Sequence, residues 1–307
     1  MTYKELLRQG NEKLRGAGID DADTDARLLL EYLTGMDRQE LLLHGDEEAE
    51  GLPEGGADSK DSIYEKYKAL LSKRANHKPV QYITGTADFM GLRFHVDENV
   101  LIPRFDTEFL VEEMMREAGD GSSVLDMCTG SGCIILSLMK YKNDIHGAGA
   151  DISRAALDIA RQNEELIFIT QGIKSPQHIG LHNYNKEHKP VDWILSDMFE
   201  NITGKYDYIV SNPPYIQSEV IPTLMPEVRD HEPRIALDGD MDGMKYYRII
   251  AREAAKHLNR HGKLFLEIGY DEADDVTKLL TESGYKDIKT LKDYSQNDRV
   301  VTGEYHV

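Results

Sequence analysis

The chain has 307 residues, and its 40% hydrophobic content is enough for one large domain or two ordinary ones. Its formal net charge of −19 argues against a protein that follows nucleic-acid phosphates with a basic stripe. No apolar signal core begins the chain, and no run approaches the roughly 20 apolar residues of a membrane span. Cys128 and Cys133 lack zinc-site and Cys-x-x-Cys spacing. We therefore expect a soluble cytoplasmic protein with no metal site and no membrane association.

Residues 1–85 have the pattern of a small helical domain. Helices are predicted where apolar residues recur at helical spacing, and they include segments that begin at Asp23, near Arg38 and at Ser62. Residues 46–60 are acidic and glycine-rich, which is typical of a loop. These patterns predict a helical bundle.

The pattern changes after this domain. Residues 86–103 alternate apolar and polar side chains around glycines and predict a β-hairpin linker. Residues 104–307 then alternate strands with helices, which predicts a parallel, doubly wound sheet and an α/β fold. The strands are predicted at 123–126, 147–151, 193–197, 208–211 and 264–268, with further β-like segments around Ile288 and 299–301. Residues 170–190 are polar and predict a surface insertion, whose His178, His182 and His188 are solvated rather than metal ligands.

The first strand of this series leads into a glycine turn at Gly130 and Gly132 and then into a helix. Glycines in such a turn let the backbone approach a ligand closely, but the third glycine of a dinucleotide motif is replaced by Ile135. Asp151 ends the next strand, where a carboxylate can accept hydrogen bonds from both hydroxyls of a ribose. The pattern predicts an adenosine ligand without a pyrophosphate.

Asp197 comes at the end of a third strand, directly before Met198. Its carboxylate can accept a hydrogen bond from the amino group of adenine while apolar neighbours cover the base. An acid in this position is explained almost as well by a structural role, in which its carboxylate accepts hydrogen bonds from backbone N–H groups of a helix start or loop.

The tetrapeptide Asn212-Pro213-Pro214-Tyr215 follows a fourth, apolar strand. Its prolines make the loop stiff and leave carbonyl groups without competing N–H donors. The side-chain oxygen of Asn212 and the Pro213 carbonyl can accept both hydrogens of a planar NH2 group, and Tyr215 can cover its face. A Pro-Pro turn with a packed tyrosine is the structural alternative. Because the ends of parallel strands meet at one edge of a sheet, we expect the motifs to form one site.

With these motifs the chain resembles the peptide chain release factor glutamine methyltransferases. The resemblance covers nearly the whole chain and is carried by 28–31, 79–85, 101–108, 124–132, 212–215, 293–294 and 298–299. It implies a Rossmann-like class I methyltransferase sheet with a small N-terminal helical bundle domain. The chain departs from the family pattern at Cys128, where a glycine is common, at Phe105, where a second proline is usual, and in its longer insertion at 170–190.

The resemblance also implies an activity. The family uses S-adenosylmethionine to methylate the side-chain amide of the glutamine in the Gly-Gly-Gln loop of release factors. It implies catalytic roles for Asn212, Pro213 and Tyr215, and a glutamine site made by these three residues and Pro214. The expected cofactor contacts are Cys128, Thr129, Gly130, Ser131, Gly132, Asp151, Asp197, Met198 and Asn212. The helical domain is then expected to recognise the protein substrate.

Three other functions are compatible with the motifs. One is methylation of a glutamine in a ribosomal protein. Another is methylation of an adenine amino group in nucleic acid. This reaction needs the same acceptors for an NH2 group, on a base that has been flipped out of the helix. The last is a catalytically inactive binding module on the same scaffold. The acidic charge opposes stable nucleic-acid binding, and the presence of all the motif residues opposes an inactive scaffold.

Overall fold

The structure is a computed structural model that describes residues 1–49, 62–170 and 189–306. It divides into two compact units. The first contains Met1–Gly85 and the short segment Met225–His231, and the second contains Thr86–Leu224 and Glu232–Val307. The segment at 225–231 had been expected within the domain at 104–307. The hairpin expected as a linker is grouped with the second unit.

The first unit is a bundle of helices around an apolar core that includes Leu14, Leu29 and Tyr67. Its helices are α1 Tyr3–Gly16, α2 Ala22–Thr34, α3 Arg38–Leu43, α4 Ile63–Ala75, α5 Val80–Thr84 and, in the later segment, α9 Pro226–Arg229. Gly35 ends α2 in the left-handed conformation that a side chain would strain. Helix α5 extends through Thr84, and Gly85 ends it in the left-handed conformation.

In the part of the chain that the structure describes, the second unit is built on a sheet of seven strands. Its first five strands run parallel to one another, and its last strand in the chain pairs antiparallel with both the fifth and the sixth. The spatial order is β5, β4, β3, β6, β7, β9, β8. The strands are β3 Ser123–Met127, β4 His146–Asp151, β5 Asp192–Leu195, β6 Tyr206–Ser211, β7 Leu258–Glu267, β8 Tyr285–Lys292 and β9 Asp298–Tyr305. Strands β1 Thr86–Phe89 and β2 Leu92–His95 form the separate hairpin.

Apolar residues cover both faces of the sheet. Leu125 and Leu264 belong to the cluster on one face, while Val124 and Phe265 belong to the cluster on the other. The covering helices are α6 Phe105–Glu117, α7 Cys133–Tyr141, α8 Arg154–Glu165, α10 Lys245–Glu253 and α11 Ala273–Glu282. The α/β fold with a small helical domain is therefore confirmed. The described helices include none that is long and apolar enough to cross a bilayer.

The sheet has its switch point at β3. The chain runs outward from β3 through β4 to β5, and then returns to place β6 on the other side of β3. In such sheets ligands bind at the carboxyl ends of the strands on either side of this point. The glycine turn follows β3 and Asn212 follows β6, so the fold brings both motifs to the place where a ligand is expected.

Two details differ from the sequence predictions. The strand predicted at 193–197 ends at Leu195, because the Ser196 hydroxyl turns the chain by donating to the Met198 carbonyl and accepting from the Asn201 N–H. Asp197 therefore lies in a turn beyond the strand. Most of the insertion predicted at 170–190 lies outside the described residues, as do His178, His182 and His188.

Candidate active site

A pocket of about 930 Å³, open to solvent, lies at the carboxyl ends of β3, β4 and β6. Loops after several strands contribute side chains or backbone to it. They include Cys128–Ser131 after β3, Asp151 and Ile152 after β4, Met198 after β5, and Asn212 after β6. A cleft at the switch point of a parallel sheet is a common place for a small-molecule ligand.

Hydrogen bonds hold the glycine turn in place. The Thr129 hydroxyl donates to Asp126 at 2.6 Å, and the Thr129 N–H donates to the Ala150 carbonyl at 3.0 Å. The Gly130 N–H donates to Asp151 at 2.9 Å. The Ser131 carbonyl accepts from the buried Asn163 amide at 2.9 Å. The turn is thus anchored to two strands and a helix before any ligand arrives.

The backbone of this turn adopts the left-handed conformation at Cys128, Gly130 and Gly132. Cys128 has φ +62°, a value that strains a side chain and explains why glycine suits this position. Gly132 is also held by packing, since a Cβ there would lie 2.9 Å from Trp193. Gly132 thus lets the turn pack closely against β5, whereas Cys128 and Gly130 line the pocket.

Asp151 occupies the end of β4 as predicted. One carboxylate oxygen accepts from the Gly130 N–H, and the other accepts from the Ser153 N–H at 2.8 Å. Burial raises the pKa of Asp151, and these N–H donors act in the opposite direction. The carboxylate lines the pocket and still has free lone pairs, because each oxygen can accept two hydrogen bonds.

Asp197 and Met198 line the pocket from the turn after β5. Asp197 is exposed, while Met198 is buried and has φ +47°. The sulfur of Met198 lies 3.9 Å from the sulfur of Cys128. Two soft side chains in strained backbone conformations therefore form a continuous wall of the pocket.

The four residues of the Asn-Pro-Pro-Tyr loop are placed differently. Asn212 and Pro214 line the pocket, whereas Pro213 and Tyr215 are outside its lining among the described residues. Tyr215 packs against the apolar cluster that contains Leu266, and burial raises the pKa of its hydroxyl. Its packing therefore suits the tyrosine to hold the loop in place.

Several lining residues have no role in the sequence analysis. Thr107 and Arg104 come from the segment around the start of α6, and Tyr246 comes from α10. The segment containing Thr107 contributes to the family resemblance, but no local pattern indicates that its hydroxyl faces the pocket. Tyr246 resembles any other aromatic residue of an amphipathic helix. Ile152 could have been inferred, because it directly follows Asp151.

Two family models match parts of the chain. Residues 5–85 match the model described as the PrmC N-terminal domain. Residues 139–268 match the model described as the Eco57I restriction-modification methylase. The first match covers the helical unit, and the second covers much of the sheet.

Curated relatives match the chain over its full length. The release factor glutamine methyltransferase of Clostridium acetobutylicum is 35% identical, with 98% of each chain covered. The protein of the same name from Agrobacterium fabrum is 35% identical and covers 98% of this chain and 96% of its own. The one from Caulobacter vibrioides is 37% identical and covers 99% of this chain and 96% of its own.

Proposed function

This chain belongs to the release factor glutamine methyltransferase family, and on that premise we propose that it methylates the glutamine of the Gly-Gly-Gln motif in release factors. It is a protein-glutamine N-methyltransferase that uses S-adenosylmethionine. The family gives the class of enzyme and substrate. The identity of the target glutamine is our proposal.

The pocket has groups that match each part of the cofactor. Asp151 offers carboxylate lone pairs to the ribose hydroxyls, and Met198 with Ile152 offers apolar surface to adenine. Backbone and side-chain atoms of Cys128–Ser131 remain for the methionine end. S-adenosylmethionine supplies a methyl group that its sulfonium has already activated. We propose that Asp197 accepts a hydrogen bond from the adenine amino group.

An amide nitrogen is a poor nucleophile, because its lone pair is delocalised into the carbonyl group. The chain therefore has to orient the amide more than to deprotonate it, and alignment of two reactants is worth about 7–11 kcal/mol. We propose that the Asn212 oxygen and the Pro213 carbonyl accept the two N–H groups of the substrate glutamine. Pro214 and Tyr215 then support the loop and the amide plane. The same acceptors stabilise positive charge as it develops on the nitrogen.

Asn212, the glycine turn and Asp151 all line one pocket, and the proposal rests on this arrangement. A site that binds only the cofactor has no need for a rigid amide at this position. The helical unit contributes no residue to the lining of this pocket among the described residues. We propose that it recognises the body of the release factor.

A nucleic-acid substrate is the second candidate, favoured by the match of residues 139–268 to a restriction-modification methylase. The net charge of −19 opposes it, because phosphate binding requires a local excess of cations. The full-length relatives also favour a protein substrate.

The test is to incubate the protein with tritiated S-adenosylmethionine and a release factor, a ribosomal-protein mixture or duplex DNA. We expect one methyl group on the release factor, located by mass spectrometry on the Gly-Gly-Gln glutamine. A release factor with that glutamine changed to alanine is the control and should remain unlabelled. Equal labelling of DNA would overturn the assignment, and labelling of the altered release factor would show that the target glutamine is wrong.

A further inference from the structure

A short chain of polar groups connects Asn212 to the interior of the second unit. The Asn212 Nδ2 donates to the Thr107 hydroxyl at 3.2 Å. Glu267 is the last residue of β7, and it lies beside Asn212 because the preceding residues Ser211 and Leu266 are paired in the sheet. The side chains of Thr107 and Asn212 act to lower the pKa of its carboxyl. Thr107 and Asn212 also line the pocket. The polar chain therefore begins at the pocket wall and ends at a buried acid.

We propose that Thr107 and Glu267 are positioning residues that fix the orientation of the Asn212 amide. They hold its nitrogen toward the interior and so leave its oxygen available to the pocket. This inference rests on the proposed function, in which that oxygen accepts a hydrogen bond from the substrate glutamine.

The Asn212 amide needs neighbours that fix its orientation, because its own shape does not. Its oxygen and NH2 group are nearly the same size, so a rotation of 180° exchanges an acceptor for a donor with little change in packing. If the NH2 group of Asn212 faced the pocket, it would meet the NH2 group of the substrate, and neither could accept. The useful orientation therefore has to be specified by neighbouring groups.

The neighbours of Asn212 supply this specification. An ionised carboxylate only accepts hydrogen bonds, and the Thr107 hydroxyl has a single proton to donate. When that proton is directed to Glu267, the hydroxyl oxygen can only accept, as it does from the Asn212 Nδ2. A rotated amide would place its oxygen against two acceptors. Because a buried polar group without a partner is costly, the observed orientation is favoured by roughly 10- to 100-fold.

Glu267 is a buried acid with one unpartnered carboxylate oxygen. The residue is 1% exposed, and its Oε2 has no hydrogen-bond partner. Burial raises the pKa of Glu267, whereas Thr107, Arg299 and Asn212 act to lower it. Burial of an acid is unfavourable unless its charge is compensated. Arg299 compensates part of this charge, and the position of the acid beside the motif amide lets it act on that amide as well.

The test uses the full chain, a purified release factor and tritiated S-adenosylmethionine, with cofactor affinity measured by calorimetry. Thr107→Val keeps the shape of the side chain and removes the hydroxyl, so kcat should fall by roughly 10- to 100-fold while cofactor affinity is retained. Thr107→Ser restores the hydroxyl and should keep kcat within about threefold of the original. Glu267→Gln introduces a donor opposite the amide and should lower kcat as Thr107→Val does.

A double-mutant cycle separates positioning from general support of the fold. In an Asn212→Ala background no amide remains to be oriented, so Thr107→Val should lower kcat by no more than about threefold. The inference is overturned if Thr107→Val leaves kcat unchanged in the original chain, or if its full effect persists without Asn212. The proposed role of Asn212 fails separately, if Asn212→Ala alone retains the original kcat.

Discussion

At the scale of single residues, carboxylates at the ends of strands perform two different tasks. Asp151 lines the pocket and holds the glycine turn through Gly130. Asp126 is fully buried one strand away, where one oxygen accepts from Thr129 and the other has no partner. Asp151 therefore faces the pocket, and Asp126 supports from behind the turn that lines it.

Replacement of Asp151 by alanine should weaken cofactor binding by roughly 10- to 100-fold, because hydrogen bonds to a charged acceptor are lost. Calorimetry with S-adenosylhomocysteine measures the change. The analogue with a 2′-deoxyribose is the control, since the original chain should discriminate against it and Asp151→Ala should not. If both proteins discriminate equally, Asp151 acts only through the Gly130 turn and has no contact with the ribose.

The buried Asp126 should make stability depend on pH. Burial raises the pKa of Asp126 to about 7, above its value in the unfolded chain, so the folded state binds the proton more tightly. The stability that this proton gives is present at low pH and is lost as the pH rises through 7. The free energy of unfolding of the original chain should fall between pH 5 and pH 8. In Asp126→Asn this fall should be smaller by about 2–3 kcal/mol. Urea denaturation at several pH values tests this, and parallel pH profiles for the two proteins would contradict it.

At the scale of elements, the site depends on the attachment of its turn to surrounding structure. Asn163 of α8 is fully buried and connects two segments. Its oxygen accepts from the His95 N–H at 2.6 Å, and its nitrogen donates to the carbonyls of His95 and Ser131. One amide therefore joins the hairpin strand β2, helix α8 and the glycine turn.

Asn163→Leu should lower the free energy of unfolding by about 2–4 kcal/mol, because it removes three hydrogen bonds to the backbone of His95 and Ser131. It should also weaken cofactor binding, since Ser131 loses its anchor. Denaturant titration and calorimetry measure the two effects. Asn201→Leu is the matched control. Asn201 is exposed, and its side chain makes one hydrogen bond, to the Leu195 carbonyl. Equal effects of the two changes would rule out a special role for Asn163.

At the scale of the whole molecule, each unit has its own internal connections. In the first unit, Arg74 contacts Asp25 at 2.5 Å and Glu227 at 3.0 Å, and all three side chains are largely buried. Glu227 belongs to Met225–His231, which is distant in sequence from the rest of that unit. This buried charge cluster therefore helps to explain why the segment is grouped with the helices.

Arg74→Met should destabilise the protein by about 3–5 kcal/mol, because it leaves two acids buried without their cation. Thermal and urea unfolding measure the loss. Arg8→Met removes an exposed ion pair with Glu12 in the same unit and should cost about 0–1 kcal/mol. A loss at Arg74 no larger than that at Arg8 would show that the cluster has no structural importance.

The sequence by itself determined the class of the fold and the positions of the main motifs. Alternating strands and helices predict a doubly wound sheet, and the turn after β3, Asp151 after β4 and Asn212 after β6 are recognisable at the ends of their strands. These features are local in the chain, because periodicity, glycines and prolines act on their immediate neighbours. Their meeting at one edge follows from the parallel arrangement alone.

Only the tertiary structure decided which distant residues complete the site. Thr107 and Tyr246 line the pocket from two different helices, and no local pattern indicates that their side chains face it. The grouping of Met225–His231 with the first unit was likewise decided by tertiary contacts and not by a local pattern. Such relationships depend on contacts between residues far apart in the chain, and a hydrogen bond between two side chains exists only after folding has brought them within about 3 Å.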